Sequence, residues 1–394
     1  MRVAIFSESY EPVQNGVSTS VRTLVDELRL RHHRVYIVAP HFPEHLDESP
    51  FVLRVPSLLT PFNAHYPVPY PFFPKLRREF RKTNSNVLHT QSPWFLGLLA
   101  ARLAQQGNMP LVSTYHTLYN YYAHYLFFLP KPAIESLLEW WLPEYYNRCT
   151  SVIVPSKVTE ESLKQYGVES RIVVVPTGVP LPPKESTDES ARQRIREQYG
   201  IPADAPLLLY VGRLAQEKNI ELVLSSFARI STEFNKARLL IVGAGPYLET
   251  CQNLASELPS GNRIIFAGPM LRDEIDPLYA AADLFVFGSA TETQGLVIAE
   301  ARAAGTPSVV VDEGGAPEHV RHGEDGMVVP SDVNAFSRAV RSVLRDADLR
   351  GRMREACLRN SHEYTPEAMA DKVLEVYEWS IWKNSQYKSI VKIT

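Results

Sequence analysis

Short apolar runs alternate with amphipathic stretches along the whole chain, and the alternation begins almost at once. Residues 3–6 (Val-Ala-Ile-Phe) form an unbroken apolar run, the length of a strand buried on both faces. A polar loop leads to Asn15 and Gly16. Val21, Leu24, Val25 and Leu28 then recur at intervals of three and four, which predicts a helix over residues 18–29 with one apolar face. Residues 35–39 are the next strand. Strand, glycine-ended loop, helix and strand make a βαβ unit of the kind that builds parallel sheets. Further strands are expected over 52–55, 87–88 running into His89, 111–114, 152–155 and 172–175, with helices over 96–106 and 157–166. Residues 56–74, rich in proline and aromatics, carry neither period and predict a long extended loop.

Residues 176–184 hold four prolines and are followed by an acidic, Ser/Thr-rich stretch, which together resemble a linker. The pattern then restarts. Strands are expected over 207–211, 239–242, 264–266, 284–287 and 308–311, and helices over 220–230, 247–257, 278–282 and 297–304. A long helical pattern runs from Pro366 through Trp379 to Trp382. The economical reading is α/β, with two Rossmann-like doubly wound domains in tandem. Ligands of such sheets bind outside the carboxyl ends of the strands, so a nucleotide crevice is expected between the two domains.

Composition narrows the class. The three cysteines, Cys149, Cys251 and Cys357, are far apart, so neither a disulfide framework nor a zinc site is expected and a reducing cytosol fits. No run approaches the about 20 apolar residues of a membrane span. The net charge of −3 is too mild for a nucleic-acid partner. It is unevenly spread: residues 1–183 carry 17 Lys and Arg against 14 Asp and Glu, the remainder 24 against 30. Of the 40 aromatic residues, 24 lie in the first 150. The first half therefore suits contact with something apolar or sugar-like, an aromatic core being the plainer explanation.

The most informative segment runs from Ala290 to Ala301. Glu292 lies in a loop after an apolar strand, Gly295 and Leu296 open a helix, and Glu300 lies about a turn inside it. A helix mouth binds phosphate through its free N–H groups and dipole, a carboxylate one turn in can accept ribose hydroxyls, and one in the loop can meet a sugar. Arg213 and Lys218 follow the strand over 207–211, where paired cations can hold a pyrophosphate and stabilise the charge that grows as it departs. A solvated loop explains them equally well alone. Gly243-Ala244-Gly245 and Asn15-Gly16 are strand-to-helix glycine turns that could approach a nucleotide or be simple tight turns. His116 ends a strand and would face a sugar across the crevice, although a buried, hydrogen-bonded histidine is the commoner fate. Residues 119–125, rich in tyrosine, could line an acceptor site or pack internally. Lys75, Arg77, Arg78, Arg81 and Lys82 form a basic amphipathic stretch beside Pro71-Phe72-Phe73-Pro74, suited to an anionic membrane surface or to a plain solvated face. No constellation suggests a catalytic metal. The sole Asp-x-Asp, Asp346-Ala347-Asp348, reads as a surface feature.

The combination of Gly212-Arg213-Leu214 with Lys218, and of Glu292 with Glu300 eight residues on, resembles the retaining GT-B glycosyltransferases of family 4 over nearly the whole chain. The resemblance implies that Glu292 binds the donor sugar, Glu300 the ribose, and Arg213 and Lys218 the distal phosphate. It further implies that Gly16 belongs to the N-terminal glycine loop and His116 contacts the sugar. Gly243, Gly245, Met270, Gln294, Gly295, Leu296 and Val297 become further donor-binding positions. Many members have Gly-Gly where this chain has Asn15-Gly16. Three stretches, residues 15–22, 114–119 and 291–296, are similar to bacterial diacylglycerol glucosyltransferases, which typically use UDP-glucose and dock on anionic membranes.

The expected layout is an acceptor- and membrane-facing domain over 1–178, a nucleotide-sugar domain over 179–365, and a helix over 366–394 packing back towards the first. The expected activity is metal-independent, cofactor-free transfer of a hexose, with glucose from UDP-glucose to diacylglycerol preferred. The protein would be cytoplasmic and peripheral on the inner membrane face. The rivals are a soluble transferase acting on a small-molecule or polysaccharide-precursor acceptor, a GDP-mannose-dependent mannosyltransferase, and a nucleotide-sugar sensor without turnover. A nicotinamide oxidoreductase is disfavoured, since no full Gly-x-Gly-x-x-Gly follows either first strand.

Overall fold

The computed structural model describes residues 1–13, 15–43, 45–47, 49–60, 63–69, 74–118 and 131–391, with the backbone alone for 59–60, 63–66, 74–75, 131 and 387–391. The chain divides into two compact units, Met1–Gly178 with Pro366–Thr394, and Val179–Thr365.

The first unit is a seven-stranded parallel sheet. Its strands are β1 (Arg2–Phe6), β2 (Arg34–Pro40), β3 (Val52–Val55), β6 (Val87–Thr90), β7 (Leu111–Thr114), β8 (Ser151–Val154) and β9 (Arg171–Val174), in the order β3-β2-β1-β6-β7-β8-β9. Alternate residues of β1 serve opposite faces, as the pleat dictates. Val3 and Ile5 meet Val21, Leu24, Val25 and Leu28 of helix α1 (Gly16–Leu30). Ala4 and Phe6 meet residues of helices α2 (Pro74–Thr83), α3 (Phe95–Gly107) and α4 (Lys131–Tyr146). Each Val, Leu, Ile or Phe side chain so removed from water contributes about 1.5–3 kcal/mol.

The last helix, Pro366–Val391, shares the α1 face, burying Met369, Val373, Val376 and Tyr377 there. It is fastened by polar contacts as well. Ser380 Oγ is 2.9 Å from Ser151 Oγ, the Tyr377 hydroxyl is 2.7 Å from His89 Nδ1, and the Arg171 guanidinium stacks 4.3 Å from the Trp379 ring centroid. The start of the expected linker is packed rather than free. Thr177 Oγ1 lies 3.0 Å from Ser20 Oγ, and Gly178 N–H points at Met369 Sδ.

The second unit is a six-stranded parallel sheet in the order β12-β11-β10-β13-β14-β15, with β10 (Leu207–Val211), β11 (Arg238–Val242), β12 (Ile264–Gly268), β13 (Leu284–Phe287), β14 (Ser308–Val311) and β15 (Gly326–Val329). Its first three strands add outward in one direction and its last three in the other, so chain order reverses between β10 and β13. In the first unit the reversal lies between β1 and β6.

Several elements correct the sequence reading. Within residues 56–74, expected as one long loop, β4 (Ser57–Thr60) and β5 (Asn63–Pro69) pair antiparallel as a separate two-stranded sheet. Pro67 and Pro69 within β5 masked the period. The hydrophilic stretch after the linker forms helices α6 (Lys184–Thr187) and α7 (Glu189–Gln198), following α5 (Lys157–Gln165). The helix expected over 278–282 is the longer α10 (Arg272–Ala281), which carries Pro277 inside it. It follows α8 (Ile220–Ile230) and α9 (Leu248–Glu257) and precedes α11 (Leu296–Ala303). Strand β15 and helices α4 and α12 (Val333–Arg345) are additions to the sequence reading, and the charged region around Asp346–Asp348, which reads as helical, is the start of α13 (Ala347–Asn360). Asp346, in the lone Asp-x-Asp, caps α13 by accepting Leu349 N–H at 2.8 Å. Among the described residues, no helix is long and apolar enough to cross a membrane.

Candidate active site

Arg213, Lys218, Glu292 and Gln294 lie on loops at the carboxyl ends of the second sheet, around the reversal between β10 and β13. After β10 the chain makes a 3-10 turn, Gln216–Lys218, and Asn219 then takes a left-handed conformation (φ +50°) before α8. After β13 it runs through Glu292 to Gly295 (φ +84°), which opens α11. These two loops meet: Lys218 Nζ forms an ion pair with Glu292 Oε1, with side chains only 13% and 17% exposed. Thr291 Oγ1 reaches Glu217 O at 3.5 Å from the same loop. A cation and a carboxylate are thus set at the reversal, where open α/β sheets bind ligands. Arg213 lies on the same β10 loop and is exposed. Its carbonyl accepts the Tyr210 hydroxyl at 3.3 Å.

Two glycine pairs let a neighbouring loop approach each of these, the β11 loop on the β10 loop and the β14 loop on the β13 loop. A Cβ on Gly243 (φ +137°) would sit 1.9 Å from Gly212 O, and one on Gly245 would sit 2.1 Å from Leu214 O. Backbone bonds fill that contact: Leu214 N–H donates to Ala244 O and Tyr247 N–H to Leu214 O, both at 3.0 Å. Loop packing therefore requires these glycines whatever else they do. Gly314 and Gly315, which the sequence reading passed over, are the second pair. Gly315 N–H donates to Glu292 O at 2.7 Å, and a Cβ there would meet Thr293 O at 2.3 Å. The signal was available, a Gly-Gly two residues after an apolar strand.

Glu300 stands on α11 with its side chain 13% exposed. Its Oε1 pairs with Arg272 Nη1, and its Oε2 accepts the Tyr279 hydroxyl at 2.8 Å. Burial pushes its carboxyl above the usual range, while Arg272 and Tyr279 pull it back. Neither partner had been singled out from the sequence. Gln294 is buried, Leu296 packs with Val179, Ala299 and Ala303, and Met270 and Val297 pack partly buried against the main core.

In the first unit, Gly16 opens α1 behind Asn15. The Asn15 side chain accepts Ser18 N–H at 2.9 Å, and its own N–H donates to Ser18 Oγ at 2.9 Å. A Cβ on Gly16 would meet nothing within 4 Å, so local packing does not demand glycine there. His116, after β7, is held by a 2.7 Å bond between its Nε2 and Gln91 Oε1. Since that oxygen can only accept, Nε2 carries the proton. Burial lowers its pKa to about 4, so the ring is neutral at physiological pH. His89, bonded to Thr114 Oγ1 at 2.7 Å, is lowered by burial to about 3. At the β1/β6 reversal Glu8, missed in the sequence, accepts from Ser92 Oγ at 2.6 Å and from Leu96 N–H at 2.9 Å, capping α3. The tyrosine-rich stretch 119–125 lies outside the described residues. On α2, Arg77, Arg78, Arg81 and Lys82 are exposed while Leu76 and Phe80 are buried; the Lys75 side chain lies outside the description.

The profile for Glycosyltransferase Family 4 matches residues 14–181, and that for Glycosyl transferases group 1 matches residues 191–359. An alpha-monoglucosyldiacylglycerol synthase of Streptococcus pneumoniae is 33% identical over 316 residues, covering 78% of this chain and 70% of the relative. The chain belongs to glycosyltransferase family 4. A second alpha-monoglucosyldiacylglycerol synthase, from Acholeplasma laidlawii, is 27% identical over 395 residues and covers 98% of this transferase and 99% of itself. Among solved structures, a sucrose-phosphate synthase from Thermosynechococcus elongatus superposes with a TM-score of 0.77 at 24% identity, covering 96% of this chain and 99% of its own, which supports the GT-B fold of the transferase. The transferase thus carries its paired acidic and basic side chains on strand-end loops of the unit that the group 1 profile matches.

Proposed function

We propose that this transferase moves glucose from UDP-glucose to the free hydroxyl of 1,2-diacylglycerol, retaining the α configuration and using no metal. The observation that carries the reading is the meeting of Lys218 and Glu292 at the β10/β13 reversal, with Glu300 close behind on α11. In this reading Arg213 and Lys218 take the diphosphate, assisted by the mouth of α11 at Gly295. Glu292 accepts hydroxyls of the sugar and Glu300 those of the ribose. Gly16 leaves room where a side chain would intrude on the donor, and the neutral His116 offers a hydrogen bond to the sugar.

The acceptor hydroxyl attacks C1 from the face the diphosphate leaves. As the new C–O bond forms, the bond from C1 to the β-phosphate oxygen breaks, and the acceptor's proton passes to that departing oxygen. Lys218 and Arg213 stabilise the negative charge that collects there.

The acceptor assignment draws support from the two glucosyldiacylglycerol synthases among the relatives and from α2. Its buried Leu76 and Phe80 leave Arg77, Arg78, Arg81 and Lys82 in solvent. Each such cation contributes about 1 kcal/mol near an anionic leaflet. The protein then works at the cytoplasmic face without spanning the bilayer.

The test is product analysis. Purified protein is incubated with UDP-glucose, UDP-galactose or GDP-mannose and with diacylglycerol in anionic vesicles, in the presence and absence of a chelator. Mass spectrometry and the anomeric proton coupling should reveal α-glucosyldiacylglycerol from UDP-glucose, undiminished by chelation. A product from GDP-mannose alone, or on water-soluble acceptors alone, contradicts the assignment. No product with any pair favours a sugar-nucleotide sensor.

A further inference from the structure

Both carboxylate oxygens of Glu300 are engaged inside the second unit, one by Arg272 and the other by Tyr279. The two donors are seven residues apart on α10, two turns along one helix face. Arg272 is itself braced, its Nε lying 3.1 Å from Asp276 Oδ1 one turn further on. An ionised carboxylate offers about four lone-pair sites. The internal donors fill one on each oxygen and leave one on each, an arrangement suited to two vicinal hydroxyls. A protonated carboxyl would turn one of those oxygens into a donor and spoil the match.

The surroundings make the charged form costly without these partners. The Glu300 side chain is 13% exposed, burial favours the neutral acid, and Asp276 nearby adds repulsion. On α10, Asp273 is exposed and Glu274 caps its own helix by accepting Leu271 N–H. On α11 itself, Arg302 faces Asp325, Glu363 and the Tyr364 ring. On the elements packed against it, His319 packs on Tyr364, and Arg354 lies near Arg192 and Asp283.

We infer that Arg272 and Tyr279 are positioning residues for donor binding, holding Glu300 as a charged, oriented acceptor for both hydroxyls of the donor ribose. The inference rests on the reading of Glu300 as the ribose acceptor.

Its test is calorimetric binding of UDP-glucose, whose diphosphate has no group titrating near neutrality, from about pH 8 down to about pH 6. Wild type should bind with little pH dependence. Arg272→Met should bind progressively more weakly as pH falls, by up to about tenfold per pH unit once the Glu300 pKa lies above the assay pH. Tyr279→Phe should do so to a smaller extent. Arg272→Lys, which keeps the cation, should restore the flat profile, and Glu300→Gln should bind weakly at every pH. A flat profile for Arg272→Met beside a weakened Glu300→Gln overturns the positioning role and leaves the ribose role standing. Wild-type affinity in Glu300→Gln overturns both. A thermal melt of each variant identifies unfolding, and the comparison of Met with Lys at position 272 stands independently of small stability losses.

Discussion

Replacing Lys218 with alanine separates what the Lys218–Glu292 pair does for the fold from what it does for transfer. The pair is 13% and 17% exposed, between a surface bridge, where the median contribution is about 0–1 kcal/mol, and a fully buried one, where losing one partner costs about 3–5 kcal/mol. Lys218→Ala, which strands Glu292, should therefore destabilise the second unit by about 1–3 kcal/mol. For a unit of this size that lowers Tm by roughly 2–12 °C. The catalytic loss should be separate and larger, about 10²–10³-fold in kcat/KM, the usual result of removing one donor from a developing anion. Adding Glu292→Gln to Lys218→Ala removes the stranded charge and should return most of the stability without returning transfer. The assay is radiolabelled glucose incorporation into lipid well below the melting temperature, alongside calorimetric melts of wild type and the two variants. Turnover within about twofold of wild type in Lys218→Ala, or recovery of transfer together with stability in the double variant, would refute the phosphate role.

Three further outcomes are expected. His89 and His116 are held neutral, with pKa values lowered to about 3 and about 4, whereas unfolded histidine titrates near about 6.5. The unfolded chain therefore binds more protons below about 6.5, and each histidine should make the first unit lose about 1.4 kcal/mol per pH unit on acidification towards its folded pKa. The raised carboxyl of Glu8 works in the opposite sense, so the check is the difference between wild type and His89→Gln in how urea-melt stability falls with pH, a dependence that should be shallower in the variant. Gly243→Ala should cost on the order of 2–4 kcal/mol, since its Cβ would overlap Gly212 O at a left-handed φ, whereas Gly16→Ala should melt as wild type yet lose donor affinity. Converting Arg77, Arg78, Arg81 and Lys82 to serine should abolish flotation with anionic vesicles while leaving the melt unchanged, because all four are exposed.

Much of the fold was legible because parallel strands buried on both faces read as plain apolar runs. The strands over 3–6, 207–211 and 284–287 match β1, β10 and β13 within a residue. α8 matches its expected bounds of 220–230. Other elements were hidden for distinct physical reasons. Pro277 interrupts the period of α10, yet the helix persists because Leu278, Tyr279 and Ala281 are buried against the sheet. In the β4–β5 pair, Pro67 and Pro69 inside β5 break the alternation that would mark a strand. α12 was readable and went unread: Phe336, Ala339, Val340, Val343 and Leu344 are spaced as one buried helical face. At the candidate site, strand-to-helix turns put Lys218, Glu292 and Glu300 in view, but sequence spacing contains nothing of their partners. The pairing of Lys218 with Glu292 spans 74 residues and that of Arg272 with Glu300 spans 28, so both are products of the sheet order. The glycines were visible at 243 and 245, whereas their demand from the Gly212–Leu214 backbone was not.

The most direct measurement is a crystal structure of the protein soaked with UDP-glucose. The account requires the diphosphate within hydrogen-bonding distance of Lys218 and Arg213, the ribose hydroxyls on Glu300 and the sugar on Glu292. A nucleotide seated on any other loops of the second sheet, with Lys218 and Glu292 still paired and untouched by it, would contradict it.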